Sequence, residues 1–173
     1  MILILSHPAD DHASGVLTAL ARRKHPALLL DAADFPARAS LSQYFSGEGA
    51  RVEYCGPSGR FDLSQCHAAW WRRPLPYTLH DGLDPDVSSF AYTECHEAFS
   101  GALALLRTAW INPPHLDERA HHKPMQLATA VQVGLAVPRT LITNDPDDAR
   151  RFVAEIGHTR TIFKTFLASE EHW

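Results

Sequence analysis

Two lysines and two arginines are the side chains of this sequence whose type and setting could do chemistry. Lys123 stands at the start of a helix-like segment, and Lys164 closes Thr161-Ile162-Phe163-Lys164. Only three of the sixteen lysines and arginines are lysine (Lys24, Lys123 and Lys164), so each one needs a reason. An ammonium flanked by Ile162, Phe163 and Phe166 is costly to bury without a partner, and a phosphate is a natural one. The bland alternative is a solvated surface lysine. Arg72 and Arg73 sit in Trp70-Trp71-Arg72-Arg73-Pro74, at the end of an apolar run. Paired guanidiniums bind carboxylates or phosphates bidentately, which makes this a candidate substrate anchor. The alternative is a pair of core tryptophans with solvated or internally paired arginines.

His7-Pro8-Ala9-Asp10-Asp11-His12 follows the first apolar run, the place where α/β sheets put ligands. His7 is therefore a further substrate-binding candidate. A histidine and a carboxylate could also ligate zinc, as in the His-Pro-Asp-Asp motif of zinc-dependent deacetylases. Ala9 interrupts that motif, and His115-Leu116-Asp117 offers no convincing third ligand, so no metal site is assigned. In the competing reading Asp10 or Asp11 caps a helix and His7 is a polar loop residue.

The elements that must position these groups follow from periodicity. Ile2 to Leu5 and Ala27 to Leu30 are short continuous apolar runs, suited to buried parallel strands. Between them, a helix from about Asp11 to Lys24 carries Val16, Leu17, Leu20 and Ala21 as its apolar stripe. That βαβ opening implies a parallel sheet. Ala39 to Tyr44 and Arg51 to Tyr54 alternate polar and apolar residues around a Gly-containing loop, which predicts a hairpin. Gly56-Pro57-Ser58-Gly59 is a second turn, and His67 to Trp71 is a further central strand. A loop over 75–85 precedes a long helix from Asp86 to about Thr108, whose apolar face is Val87, Phe90, Ala91, Ala98, Ala102, Leu105 and Leu106. Trp110 to Pro114 is a short strand. A helix over Pro124 to Val133, a strand over Val137 to Ile142, a helix from Asp145-Pro146 to Gly157 and a strand over Arg160 to Phe166 complete the reading. The fold class is α/β: a parallel or mixed sheet flanked by helices, without the Gly-x-Gly-x-x-Gly dinucleotide fingerprint.

The bulk numbers exclude several classes. A net charge of −4 over 173 residues provides no basic field for nucleic acid. Cys55, Cys66 and Cys95 are too few and too irregularly spaced for a disulfide framework, which points to reduced thiols and a cytoplasmic protein. The start of the chain lacks a signal peptide, and no apolar run reaches membrane-spanning length.

Taken together and in order, these blocks resemble the microviridin-type ATP-grasp peptide maturases (graspetide macrocyclases). The similarity runs through Ile2 to His7, Asp11-His12, Leu30 to Pro36, Trp70 to Pro74, Trp110 to Pro113, Lys123, Gln126-Leu127, Val137 to Pro146 and Ile162 to Lys164. The resemblance implies a pre-ATP-grasp domain over 1–111 and the start of a small α/β ATP-grasp central subdomain over 112–173. It implies an ATP-dependent ligase that cross-links side chains of a leader-bearing ribosomal precursor peptide into macrocyclic amides or esters. It also implies ATP and Mg²⁺ as cofactors, a homodimer for the intact enzyme, and contacts from Lys123 and Lys164 to the nucleotide phosphates. The resemblance further implies that no catalytic residue falls within these 173 residues, because the acidic Mg²⁺ ligands of such enzymes are expected later in the chain. The expectation is therefore that the chain is the front part of a longer ligase and is inactive alone. Two alternatives are a non-catalytic module that binds a peptide or partner, and the zinc deacetylase.

Overall fold

A computed structural model describes residues 1–166 of the chain and divides it into two compact units, Met1–Pro114 and the part from His115 onward. The first unit opens as the periodicity predicts. Strand β1 (Ile2–Leu5) leads through helix α1 (Asp11–Arg22) to strand β2 (Ala27–Leu30), and β1 pairs with β2 in parallel, Ile2 against Ala27. Leu3, Ile4 and Leu5 are fully buried because both faces of a parallel strand are covered. Helix α1 starts where Asp10 accepts a hydrogen bond from the His12 amide at 3.0 Å. It ends two residues earlier than expected. Lys24 takes φ 59°, and the amides of Lys24 and His25 donate back to the carbonyls of Ala21 and Leu20. This is a Schellman closure with lysine at the left-handed position where glycine is usual.

The next strands form a separate antiparallel sheet. β3 (Ser40–Ser46), β4 (Gly49–Gly56) and β5 (Gly59–Asp62) run in the order β3-β4-β5. The hairpin reading holds, with Gly47 and Glu48 between the first two strands. Val52 and Tyr54 point into the core, and a Cβ on Gly56 would collide with the Tyr54 hydroxyl and ring. Glycine is thus required there by close approach. The Phe35-Pro36 peptide bond is cis.

Strand β6 (Ala68–Trp71) returns to the first sheet on the free side of β1, again in parallel, and β7 (Ala109–Ile111) adds beside it. The order is β2-β1-β6-β7, all parallel. Helix α2 (Pro85–Leu105), capped by Asp84, lies between β6 and β7 in the chain. Its buried residues are Phe99, Ala102 and Leu103, whereas Val87 and Phe90 are 50% and 67% exposed. The stripe expected from the sequence is therefore corrected. Only Ala102 of that set is buried within the helix, and Leu106 is buried at its cap. The helix turns the Phe99 side to the core, where Phe35 and Tyr77 pack against it. The core joins this face to Leu3, Leu5, Leu28, Leu30, Val52 and Tyr54.

The second unit contains α3 (Pro114–His121, beginning at the boundary), α4 (Lys123–Gln132) and α5 (Pro146–Ile156). α3 was not expected, since Pro113-Pro114 reads as a strand ending; Pro114 instead takes the first helical position, where its missing N–H costs nothing. α5 begins as expected, with Asp145 accepting from the Asp147 amide at 2.8 Å. Two expected strands are absent. Residues 137–142 and 161–166 are irregular, and residues 158–160 form a 3-10 turn. A segment that reads as a strand still needs a ladder partner for its backbone, and the described residues from His115 onward contain no strand.

Candidate functional site

The carboxyl ends of β1 and β6 meet side by side, Leu5 opposite Trp71. The chain that follows each strand supplies the polar groups. Ser6 is fully buried and Asp10 is 4% exposed. The Ser6 hydroxyl donates to Asp10 Oδ2 at 2.8 Å, and the His12 amide donates to Oδ1 at 3.0 Å. Arg72 Nε lies 3.3 Å from Asp10 Oδ2. The Ser6 hydrogen bond holds the Asp10 carboxyl below the usual carboxylate range; the His12 and Ala13 amides and the Arg72 charge act in the same sense, while burial opposes them. Arg72 also stands over the Trp70 ring, 5.8 Å from Cζ to the centroid, as residues two apart on a strand should. The amides of Arg72 and Arg73 both donate to the Leu5 carbonyl, at 3.0 and 3.3 Å.

The structure thus brings together part of what the sequence singled out. Arg72 is tied into the strand ends, Arg73 follows it with an exposed side chain, and His7 is half-buried in the turn after β1. Asp10 proves to be the cap, with Asp11 in the first helical turn. That commitment counts against the zinc deacetylase, which needs the Asp10 carboxylate as a ligand. Among the described residues no group of three or more His, Cys, Asp and Glu side chains could hold a metal ion. The sequence reading missed Ser6 and the Asp10–Arg72 pair. Asp10 and Arg72 are distant in the chain, and only the adjacency of β1 and β6 joins them.

The lysines lie in the other unit. Lys123 is the first residue of α4, is exposed, and donates from Nζ to Gln126 Oε1 at 3.4 Å. Lys164 is exposed in the irregular stretch 161–166, with Ile162 and Phe163 beside it 77% and 90% exposed. The expectation that Lys164 sits in a strand among buried apolar neighbours is corrected, since those neighbours are open to solvent and no strand forms. A shallow groove of about 530 Å³ between α3 and α4 is lined by Leu116, Met125, Ala130 and Val133.

Comparison with known proteins gives these geometries a family. The description "MvdD pre-ATP grasp domain" matches residues 1–118. Macrocyclase MdnB from Microcystis aeruginosa MRC is 29% identical, with a TM-score of 0.82, over 89% of this chain and 51% of that one. Macrocyclase MdnC from the same source, solved bound with precursor peptide MdnA, is 27% identical with a TM-score of 0.80, over 90% and 51%. ATP-grasp ligase PsnB, complexed with minimal precursor, Mg and ADP, is 29% identical with a TM-score of 0.65, over 90% and 52%. No curated protein matches the sequence. The chain spans about half the length of the solved structures it resembles. No described helix is long and apolar enough to cross a membrane. The wholly parallel sheet that sets Arg72 beside Asp10 falls inside the matched stretch, and the chain belongs to the family of MvdD pre-ATP grasp domains.

Proposed function

We propose that this chain is the N-terminal part of an ATP-dependent ligase that forms macrocyclic amide or ester cross-links between side chains of a ribosomal precursor peptide. The observation that carries the reading is the family match over residues 1–118, together with likeness to macrocyclase MdnB, to macrocyclase MdnC bound with its precursor peptide and to ligase PsnB complexed with a minimal precursor. Residues 1–111 serve as the pre-ATP-grasp domain, and 112–173 begin the ATP-grasp central subdomain. The protein is cytoplasmic, and the intact enzyme is a homodimer that docks a leader-bearing peptide. Residues 167–173 lie outside the described part of the chain.

When bound with Mg²⁺, ATP supplies the phosphoryl group that activates a peptide carboxylate toward attack by an amine or hydroxyl. The residues present fit the phosphates. Lys164 has no partner among the described residues, and Lys123 makes a single long contact to Gln126. Two such uncommitted ammoniums suit a polyphosphate, which concentrates negative charge. The residues do not fit the metal, because no described cluster of acids could cage it. Lys123 and Lys164 accordingly bind and orient the nucleotide, while Arg72, Arg73 and His7 contact the peptide.

Nucleotide affinity in the protein that carries this chain tests the assignment. Lys164→Ala and Lys123→Ala should each weaken MgATP binding about 10-fold or more, the usual worth of a hydrogen bond to a charged group. Unchanged affinity in both would remove the lysines from the site. The competing reading is a non-catalytic module that docks a peptide or partner. It predicts peptide binding with no MgATP-dependent change in the peptide's mass.

A further inference from the structure

The order β2-β1-β6-β7 makes the β1–β6 boundary a switch point. The connection from β1 leads to β2 on one side, and β6 lies on the other, so the loops after β1 and β6 diverge. Open parallel sheets form their ligand crevices at such places, outside the carboxyl ends of the strands. Ser6, Asp10 and Arg72 occupy this one.

The arrangement around Arg72 is asymmetric. Its Nε is sealed from solvent beside the Asp10 carboxylate, without the alignment of a hydrogen bond, yet the side chain as a whole keeps 23% of its exposure. Neither terminal amino group is among the buried side-chain atoms left without a partner. The two contacts that fix the group, Asp10 at Nε and Trp70 beneath Cζ, use neither terminal amino group. Asp10 in turn is fixed by Ser6 and by the α1 amide of His12. A planar fork held on one edge and one face presents its remaining donors in parallel, which is the geometry that matches a carboxylate. Charge points the same way. Asp10, Arg72 and Arg73 leave one unit of positive charge, enough for a monoanion, whereas a dianionic phosphate would face the Asp10 carboxylate.

We propose that Arg72, positioned by Asp10, Ser6 and Trp70, is a carboxylate-binding fork at the β1–β6 switch point that takes an Asp or Glu side chain of the peptide. The assignment rests on the ligase reading for the identity of its ligand. Asp10, Ser6 and Trp70 are positioning residues; Arg72 is the residue that touches the peptide.

Side-chain Nε–H spectra of the ¹⁵N-labelled chain test it, with the Arg72 signal identified by its loss in Arg72→Lys. N-acetylglutamate α-methylamide, which has one carboxylate, should shift that signal saturably, and the glutamine counterpart should not. Asp10→Asn keeps an acceptor for the His12 amide but removes the charge that orients the fork. It should raise the apparent Kd about 10-fold, the scale of one charge-assisted hydrogen bond. Should Asp10→Asn fail to fold, Ser6→Ala takes its place, and weaker binding is again expected. No shift with the glutamate compound, an equal or larger shift with inorganic phosphate, or an unchanged Kd in the positioning variant would overturn the fork. MgATP-dependent cross-linking of a precursor peptide judges the ligase reading separately. An unresponsive Arg72 in a protein that supports cross-linking removes this site alone.

Discussion

Leu3, Ile4 and Leu5 in β1 are fully buried, whereas Val131, Val133 and Leu135 at the end of α4 are each more than 60% exposed. These are residues of one chemical kind in opposite situations. Up to Pro114 the core is continuous from Leu3 through Tyr54 to Phe99. From His115 onward no described residue is fully buried, and α3, α4 and α5 bury none of theirs. Burial is what offsets the entropy of ordering a chain. The comparison therefore assigns self-sufficient stability to the first unit. It leaves the second with apolar surface still available to be covered. It also separates two kinds of site: one positioned by a rigid parallel sheet, the other carried on exposed lysines.

The sharpest way to break this contrast is a matched pair of truncations. Leu5→Ala should cost about 2–5 kcal/mol in chemical denaturation, the usual range for a buried leucine. Val133→Ala should fall within about 0.5 kcal/mol of wild type, as for an exposed position. Equal effects would mean that the two regions are packed alike. A smaller effect is expected at Gly56. Its added Cβ would meet the Tyr54 ring, which is 2% exposed and has no room to retreat. Gly56→Ala should destabilise the first unit by about 1–3 kcal/mol, as overpacking does, and leave the melting of α5 helicity unchanged.

Acid titration sharpens the comparison further. The Asp10 carboxyl is held below its usual range in the folded chain, so folding favours its ionised form. Its stabilisation is fully present above the ordinary aspartate value of about 3.9. It is lost as pH falls from there through the depressed folded value. Stability of the first unit should therefore drop over that acid window, and Asp10→Asn should flatten the slope. At the other extreme, burial pushes the hydroxyls of Tyr54 and Tyr77 up to about 12. Both resist ionisation in the fold, so stability should fall as pH rises above about 10, the unfolded value. A Tyr77→Phe variant should lose part of that alkaline dependence. The smallest effect is expected at Lys24, where φ is 59°. Lys24→Gly should raise stability by a few tenths to about 1 kcal/mol, because glycine adopts that conformation without a Cβ clash.

The difference between the regions also explains what could be read from the sequence. β1, α1, β2 and the hairpin were legible because their signals are local: apolar runs of strand length, a capping aspartate, a Gly-containing loop. The start of α5 at Asp145-Pro146 was legible for the same reason, even in the unburied region. The pairing of Asp10 with Arg72 was not legible, since it depends on β6 returning beside β1, and strand order has no local signature. The strands expected at Val137 to Ile142 and Arg160 to Phe166 failed for a related reason. A strand needs a neighbour for its ladder, and no strand lies among the described residues from His115 onward. The outward-facing Val87 and Phe90 misled the reading of α2 because a helix that is apolar on several sides does not announce which side is covered.

Residue-resolved hydrogen exchange of the chain, with and without MgATP, tests the division of labour most directly. The account predicts that amides of β1, β2 and β6 exchange only by global unfolding and are indifferent to nucleotide. It predicts weak protection in α3, α4 and α5, with any nucleotide-dependent gain centred on Lys123 and Lys164. Equal protection in both regions, or a nucleotide effect confined to the ends of β1 and β6, would contradict it.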